Sequence, residues 1–448
     1  MHRVRKLTLL LVSLLALAGA GMQHHELLRE RSAYHLGRAA PDRDDPPWIT
    51  FATVALGGFR GLLADILWLR ASDLQEDHRY FELVQLADWI TKLQPQFSDV
   101  WAFHAWNMAY NVSFAFPEPA DRWRWINNGI RLLRDEGIAL NPNDAKLYVE
   151  LAWIYQHKVG GASDRFNLYY KEQFASTYGD LLGDSPDSQL ANLQRREIVN
   201  DLRRNHGLDA AEMNRVSRRY DGLDWRVPFS HAVYWAQRGF EKTDERNAPM
   251  AERMLYQALR ESMRQGRLIH DAAHGVYLCA PNVRPIAAID QLYQWSLRTH
   301  HREMDRRFYE SFLREASVLL FVSSRDVAAR RLFETFQLVT EDRGTPRTYE
   351  SFLYDSYLNS ADESAPRRVP ERLRDCYLQH YFWSTIGDPA FANGYERLAA
   401  LLAKEYSARA ATEAASYPPL PDLALMRAAA KRDVTNSVPA SFRIRWDR

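Results

Sequence analysis

One stretch combines side-chain types and spacing that could bind a metal. His270-Asp-Ala-Ala-His274 sets two imidazoles four positions apart, on one face if the segment is helical, and Cys279 follows closely. That spacing can hold zinc. The glutamate that makes such a pair a metalloprotease motif is missing, since position 271 is aspartate and Gly275 ends the segment. The plainer expectation is a helix end with polar side chains, with no metal and no cofactor. Gly57-Gly58-Phe59-Arg60-Gly61 lacks the lysine and the preceding strand of a phosphate loop. No G-x-S-x-G nucleophile elbow occurs. Carboxylates are the remaining chemistry. A glycoside hydrolase needs two of them across one cleft, roughly 5–5.5 Å apart for retention or 6.5–9.5 Å for inversion. Asp65, Glu76 and Asp99 are the nearest candidates.

The chain that must position these groups has 448 residues, 46% of them hydrophobic and 26% charged, enough for two or three domains' worth of core. Lys+Arg is 58 and Asp+Glu is 57, so the net charge is +1 and no basic excess marks a nucleic-acid binder. Aromatics reach 12%, with 13 Trp and 22 Tyr, which suits large packing residues between helices or an aromatic binding surface. Cys279 and Cys376 allow one disulfide and no disulfide scaffold.

The clearest internal pattern runs from Pro95 to Tyr155. Pro95 is followed six residues later by Trp101, then by Ala105 and Met108. Pro142 is followed six residues later by Tyr148, then by Leu151, Ala152 and Tyr155. Proline ends the preceding helix, and an aromatic and a small residue four apart share one helix face. This unit resembles the tetratricopeptide repeat (TPR), a helix–turn–helix of about 34 residues. Pro95 and Pro142 stand 47 positions apart, so the second unit carries a surplus, placed at Ser113–Asp121 where Pro117 and Pro119 break the helix. Its second helix is expected over Trp123–Leu140, with Arg134 in a slot that the family usually fills with an apolar or aromatic residue. A third unit starts at the N-cap pair Asn143-Asp144. Its second helix, after Gly160-Gly161, is off register.

The resemblance implies an all-α fold, a right-handed superhelix of stacked helix pairs whose concave side is lined by first helices. Carried onto matching positions, the family's groove-facing pattern selects Asp65, Trp68, Ser72, Gln75 and Glu76 in the first unit. In the second it selects Asp99, Ala102, Trp106, Ala109 and Tyr110, and in the third Lys146, Val149, Trp153, Gln156 and His157. Trp68, Trp106 and Trp153 then point toward one groove. That groove is either open to a ligand or filled by a helix from the carboxyl half.

Basic Met1–Lys6, apolar Leu7–Ala20 and Ala18-Gly19-Ala20 form a secretory signal, or an uncleaved membrane anchor through residues 7–22. The expected location is therefore extracytoplasmic, periplasmic or membrane-anchored. The expected organisation is signal or anchor 1–22, linker 23–48, TPR-like repeats 49–180, divergent helical pairs 181–285, carboxyl-terminal helices 286–416 and a tail 417–448. Later helices are expected at Phe229–Phe240, Ile286–Ser296, Arg302–Phe321, Val327–Leu338, Pro370–Thr385 and Pro389–Ala415. TPR-like folds serve chiefly as interaction modules. The resemblance thus implies a non-enzymatic scaffold at the cell envelope that binds a protein or peptide, with no nucleic acid. A carbohydrate-binding or carbohydrate-active protein using paired carboxylates is the alternative.

Overall fold

The computed structural model describes residues 60–243, 248–271, 276–300, 302–340, 348–358, 365–412 and 417–437. The leader or anchor segment, the linker and residues 49–59 lie outside them. Among the described residues the protein is all-α apart from one hairpin, and no helix is long and apolar enough to cross a membrane. The chain divides into two compact units, one ending at Val100 and one beginning at Trp101.

In the first unit, α1 (Arg60–Glu76) packs on α2 (Tyr80–Leu93). Ala71 and Leu74 on α1 are buried with Leu83, Ala87 and Ile90 on α2, the positions that a small-and-apolar repeat pattern selects.

The boundary falls within α3 (Ser98–Trp106), which continues without a break into a π-helical segment, π1 (Asn107–Val112). After the Pro117–Pro119 break come α4 (Pro119–Arg131), π2 (Leu132–Gly137) and α5 (Ile138–Leu140), one rod across the helix expected at Trp123–Leu140. Next is α6 (Ala145–Trp153), running into π3 (Ile154–Val159). Asp144 caps α6 by accepting from the Lys146 N–H at 2.9 Å. The Tyr148 hydroxyl donates to the Pro142 carbonyl at 2.9 Å, so the proline-to-aromatic spacing is a brace across the helix start. A π turn closes hydrogen bonds from i to i+5 and is wider than an α turn.

Small residues bring α3–π1 and α4 together. A Cβ on Gly129 would stand 2.7 Å from the Ala105 carbonyl oxygen and 3.4 Å from the Ala109 Cβ. Helix propensity favours Gly129→Ala by about 1 kcal/mol. Backbone cannot yield to that contact cheaply, and overpacking costs about 1–3 kcal/mol. Gly129→Ala should therefore lower stability, by up to about 2 kcal/mol in urea denaturation. A more stable variant would show that this helix pair is not close-packed.

The segment expected as the third repeat departs from expectation. Its helix α6 packs most extensively on α11 (Pro228–Glu241) and next on α12 (Ala248–Gln265). The next helix in sequence, α7 (Asn167–Leu182), touches π3 instead. Between them lie α8 (Pro186–Asn192), α9 (Arg196–Asn205) and α10 (Ala210–Tyr220). Ser185 heads α8 with a capping box, and Arg195, Arg196, Arg203 and Arg204 are exposed as their charge pattern suggests.

The segment expected as a polar helix end at His270 is a strand. β1 (Arg267–Asp271) pairs antiparallel with β2 (Val276–Ala280), His270 opposite Tyr277. Leu-Ile on one side and Val-Tyr-Leu on the other are β-branched and bulky, which suits a pleated pair. His274 and Gly275 lie outside the described residues.

The remaining helices are α13 (Ile286–His300), α14 (Glu303–Val322), α15 (Asp326–Val339), α16 (Tyr349–Leu358), α17 (Ala365–Ile386), α18 (Pro389–Ala410) and α19 (Leu423–Ser437). Pro389 takes the first turn of α18, with Asp388 as the cap. Pro370 does not start its helix; it sits inside α17, near its amino end. The stretch read as a tail carries α19, which packs on α17 and buries Ala430 and Val434. Cys279 and Cys376 are both free thiols.

Candidate functional site

Two pairs of residues, each four apart, straddle the entry to a π turn. Trp106 stacks on Tyr110 with ring centres 5.3 Å apart and planes at 22°. Trp153 stacks on His157 at 4.8 Å and 10°. Tyr110 and His157 join the pairs, with centres 5.8 Å apart and the hydroxyl 3.2 Å from Nδ1. The four rings form one run, each half-buried. Burial and the Lys158 charge hold the His157 imidazole below its ordinary pKa. Burial, with Glu150 nearby, pushes the Tyr110 hydroxyl up. At neutral pH the run is therefore uncharged, with aromatic faces and polar edges.

An ion cluster sits beneath it. The Lys158 ammonium lies 5.3 Å from the centre of the Tyr110 ring and 2.8 Å from Asp164 Oδ2. Arg122 approaches Asp164 Oδ1 at 3.4 Å, and its guanidinium lies over the rings of Phe114 and Phe166. These three charged side chains are 4–6% exposed. Burial works against the Asp164 carboxylate. The Lys158 ammonium, the Phe166 N–H and Arg122 outweigh it and lower its pKa. Burial likewise pushes Lys158 down, and Asp164 partly offsets that.

Trp153 also lines a cleft of about 510 Å³, within the range of small-ligand sites. Gln156 lies beside it. Glu252, Tyr256 and Arg260 on α12, Tyr293 on α13, and Asp305 and Phe308 on α14 also line it. Tyr256 and Tyr293 stack at 4.4 Å and 10°. Glu252 is buried, and its Oε1 accepts from the hydroxyls of Tyr256 at 3.0 Å and Ser296 at 2.6 Å. Burial raises the pKa of Asp305, and the Glu252 charge adds to it.

Of the residues singled out from sequence, Trp106, Tyr110, Trp153 and His157 come together, and Gln156 joins Trp153 in the cleft. Lys146 is half-buried at the start of α6. Asp65, Trp68 and Gln75 belong to α1 in the first unit, Asp65 exposed and the other two half-buried. Asp65 and Glu76 lie on that one helix, about 16 Å apart along its axis. They cannot face each other across a cleft as a hydrolytic pair. Arg134, the residue out of place in the apolar slot, is accommodated by bonds to Asp135 at 2.6 and 2.7 Å and to the His206 carbonyl at 2.7 Å. It lines a second cavity of about 250 Å³ with Tyr155 and Tyr178. Among the described residues no three His, Cys, Asp or Glu side chains cluster as a metal site.

Sequence reasoning missed Glu252, Asp305 and the Arg122–Lys158–Asp164 cluster. Glu252 did carry a signal: it stands three positions before Leu255, at the edge of the small and apolar stripe Ala251, Leu255, Ala258. Compared with known proteins, the chain matches no family model and no curated relative.

Proposed function

We propose that this chain is a non-enzymatic interaction scaffold, built of stacked TPR-like helix pairs wound into a right-handed superhelix. It acts outside the cytoplasm, at the cell envelope, held or exported by residues 7–22. Its partner is a protein or peptide segment, taken on the aromatic run of the second unit. The observation that carries this reading is the continuous contact of Trp106, Tyr110, His157 and Trp153, four half-buried rings on two helices. Large rigid aromatics supply contact area at low entropy cost and dominate binding hot spots. Uncharged rings with polar edges suit a peptide better than an anionic surface.

The test is capture of partners by the tagged full chain in native envelope extracts, compared with Trp106→Ala plus Trp153→Ala. The pair should reduce capture of any specific partner at least tenfold with the helical signal unchanged. Equal capture by both proteins would remove the aromatic run from the function.

A further inference from the structure

We propose that the cleft beside Trp153 is a saccharide-binding site, independent of partner capture on the aromatic run. Three buried polar atoms without a hydrogen-bond partner among the described residues belong to side chains lining it: Gln156 Oε1, Asp305 Oδ2 and Arg260 Nε. An unpaired buried polar atom is destabilising, so three around one opening call for a common explanation. Two of the atoms accept and one donates. A complementary ligand therefore offers at least two donors and one acceptor at close range, as adjacent sugar hydroxyls do.

Charge points the same way. Arg260 is bound to Glu315 at 2.6 Å, and Arg264 to Glu315 at 2.9 Å and Glu261 at 2.6 Å, so those cations are already matched. Arg302 stands 3.7 Å from Glu252 and 4.0 Å from Asp305, near enough to offset them. With Arg253 included, the four arginines of the wall stand against Glu252, Glu261, Asp305 and the adjoining Glu315, a balance that favours a neutral ligand over an ion. Trp153 and the exposed Phe308 provide apolar surface for the C–H face of a sugar ring. The cleft's size suits a short oligosaccharide.

The experiment presents the full chain, in detergent, to an oligosaccharide array and to a random peptide array. Wild type is compared with Asp305→Leu, Trp153→Ala and Trp106→Ala. Saccharide signal should fall at least tenfold in Asp305→Leu and in Trp153→Ala, and persist in Trp106→Ala, whose ring is outside the cleft. Thermal melting gives a second readout. Asp305→Leu removes a carboxylate oxygen that accepts no hydrogen bond and meets Arg302 only at 4.0 Å, so the unliganded protein should melt close to wild type. No saccharide retained, saccharide retained equally by Asp305→Leu, or a peptide bound in an Asp305-dependent way would each overturn the proposal. Because Trp153 belongs to both the aromatic run and the cleft, partner capture is judged separately, with Trp106→Ala as the variant that leaves the cleft intact.

Discussion

Acidification from about pH 6.5 to pH 4 should cost the fold on the order of 3 kcal/mol at each of two histidines, His104 and His231. Both are buried. Burial lowers the pKa of His104 from 6.5 to about 4 and that of His231 to about 3. His231 sits among Tyr155, Phe174, Tyr178 and Trp225, and its Nε2 donates to the Trp225 carbonyl at 3.0 Å. Nδ1 has no partner among the described residues, and neither ring nitrogen of His104 does. Both rings are therefore neutral in the folded state and cannot take a proton cheaply. Below pH 6.5 the unfolded chain binds more protons than the folded one, so stability falls as pH falls. The loss stops growing near pH 4 for His104 and near pH 3 for His231, and above about pH 6.5 nothing further is gained. Urea denaturation at a series of pH values reads this directly. His231→Phe should flatten the dependence by close to one proton, at some loss of stability at pH 7. Identical slopes for the two proteins would mean that His231 is protonated, or exposed, in the native state.

Asp164→Ala should destabilise the protein by about 3–5 kcal/mol, because it strips two buried cations of their shared counter-ion. Lys158 and Arg122 would be left facing each other out of water, and the Phe166 N–H would lose its acceptor at 3.0 Å. Lys158→Met should cost much less, since Asp164 keeps Arg122 and the methionine stem fills the same space. The order of the two effects is the informative result. If Lys158→Met were the worse of the pair, Asp164 would not be the centre of the cluster. Because the Lys158 ammonium lies over the Tyr110 ring, Asp164→Ala should also weaken capture on the aromatic run even at temperatures where the protein stays folded.

Local signals in the sequence were strong where the physics is local. Pro142 ahead of α6 and Asp144 as its cap depend on a few neighbouring backbone groups, and these appear where their patterns place them. Ala105, the small residue of the repeat pattern, faces Gly129, whereas Ala109, expected to face the groove, is buried against Gly129 as well. Where the outcome depends on partners far along the chain, the pattern fell silent. Nothing near Tyr148 says that α6 will pack on α11 in preference to α7. The spacing of His270 and His274 suited a helix, and the bulky residues around them favoured a hairpin instead. The four rings of the candidate site were legible because the resemblance to the repeat family carries a groove-facing pattern onto their positions. Asp305 and the Lys158–Asp164 pair were not, since a charged residue in a helix reads as solvent-facing until another helix covers it.

The three π segments have a genetic consequence. Each holds roughly one residue more than an α-helix of the same length, at Asn107–Val112, Leu132–Gly137 and Ile154–Val159. Losing a single codon there would leave an unbroken rod, an outcome rarely open to deletions inside a packed helix. The far side of the lost codon would keep nearly the same facing, because the wide turn uses about one residue more than an α turn to go once around. Descendants of this gene can therefore gain or shed the wide turns one codon at a time, re-aiming Tyr110, Arg134 or His157 without rebuilding the helices that carry them.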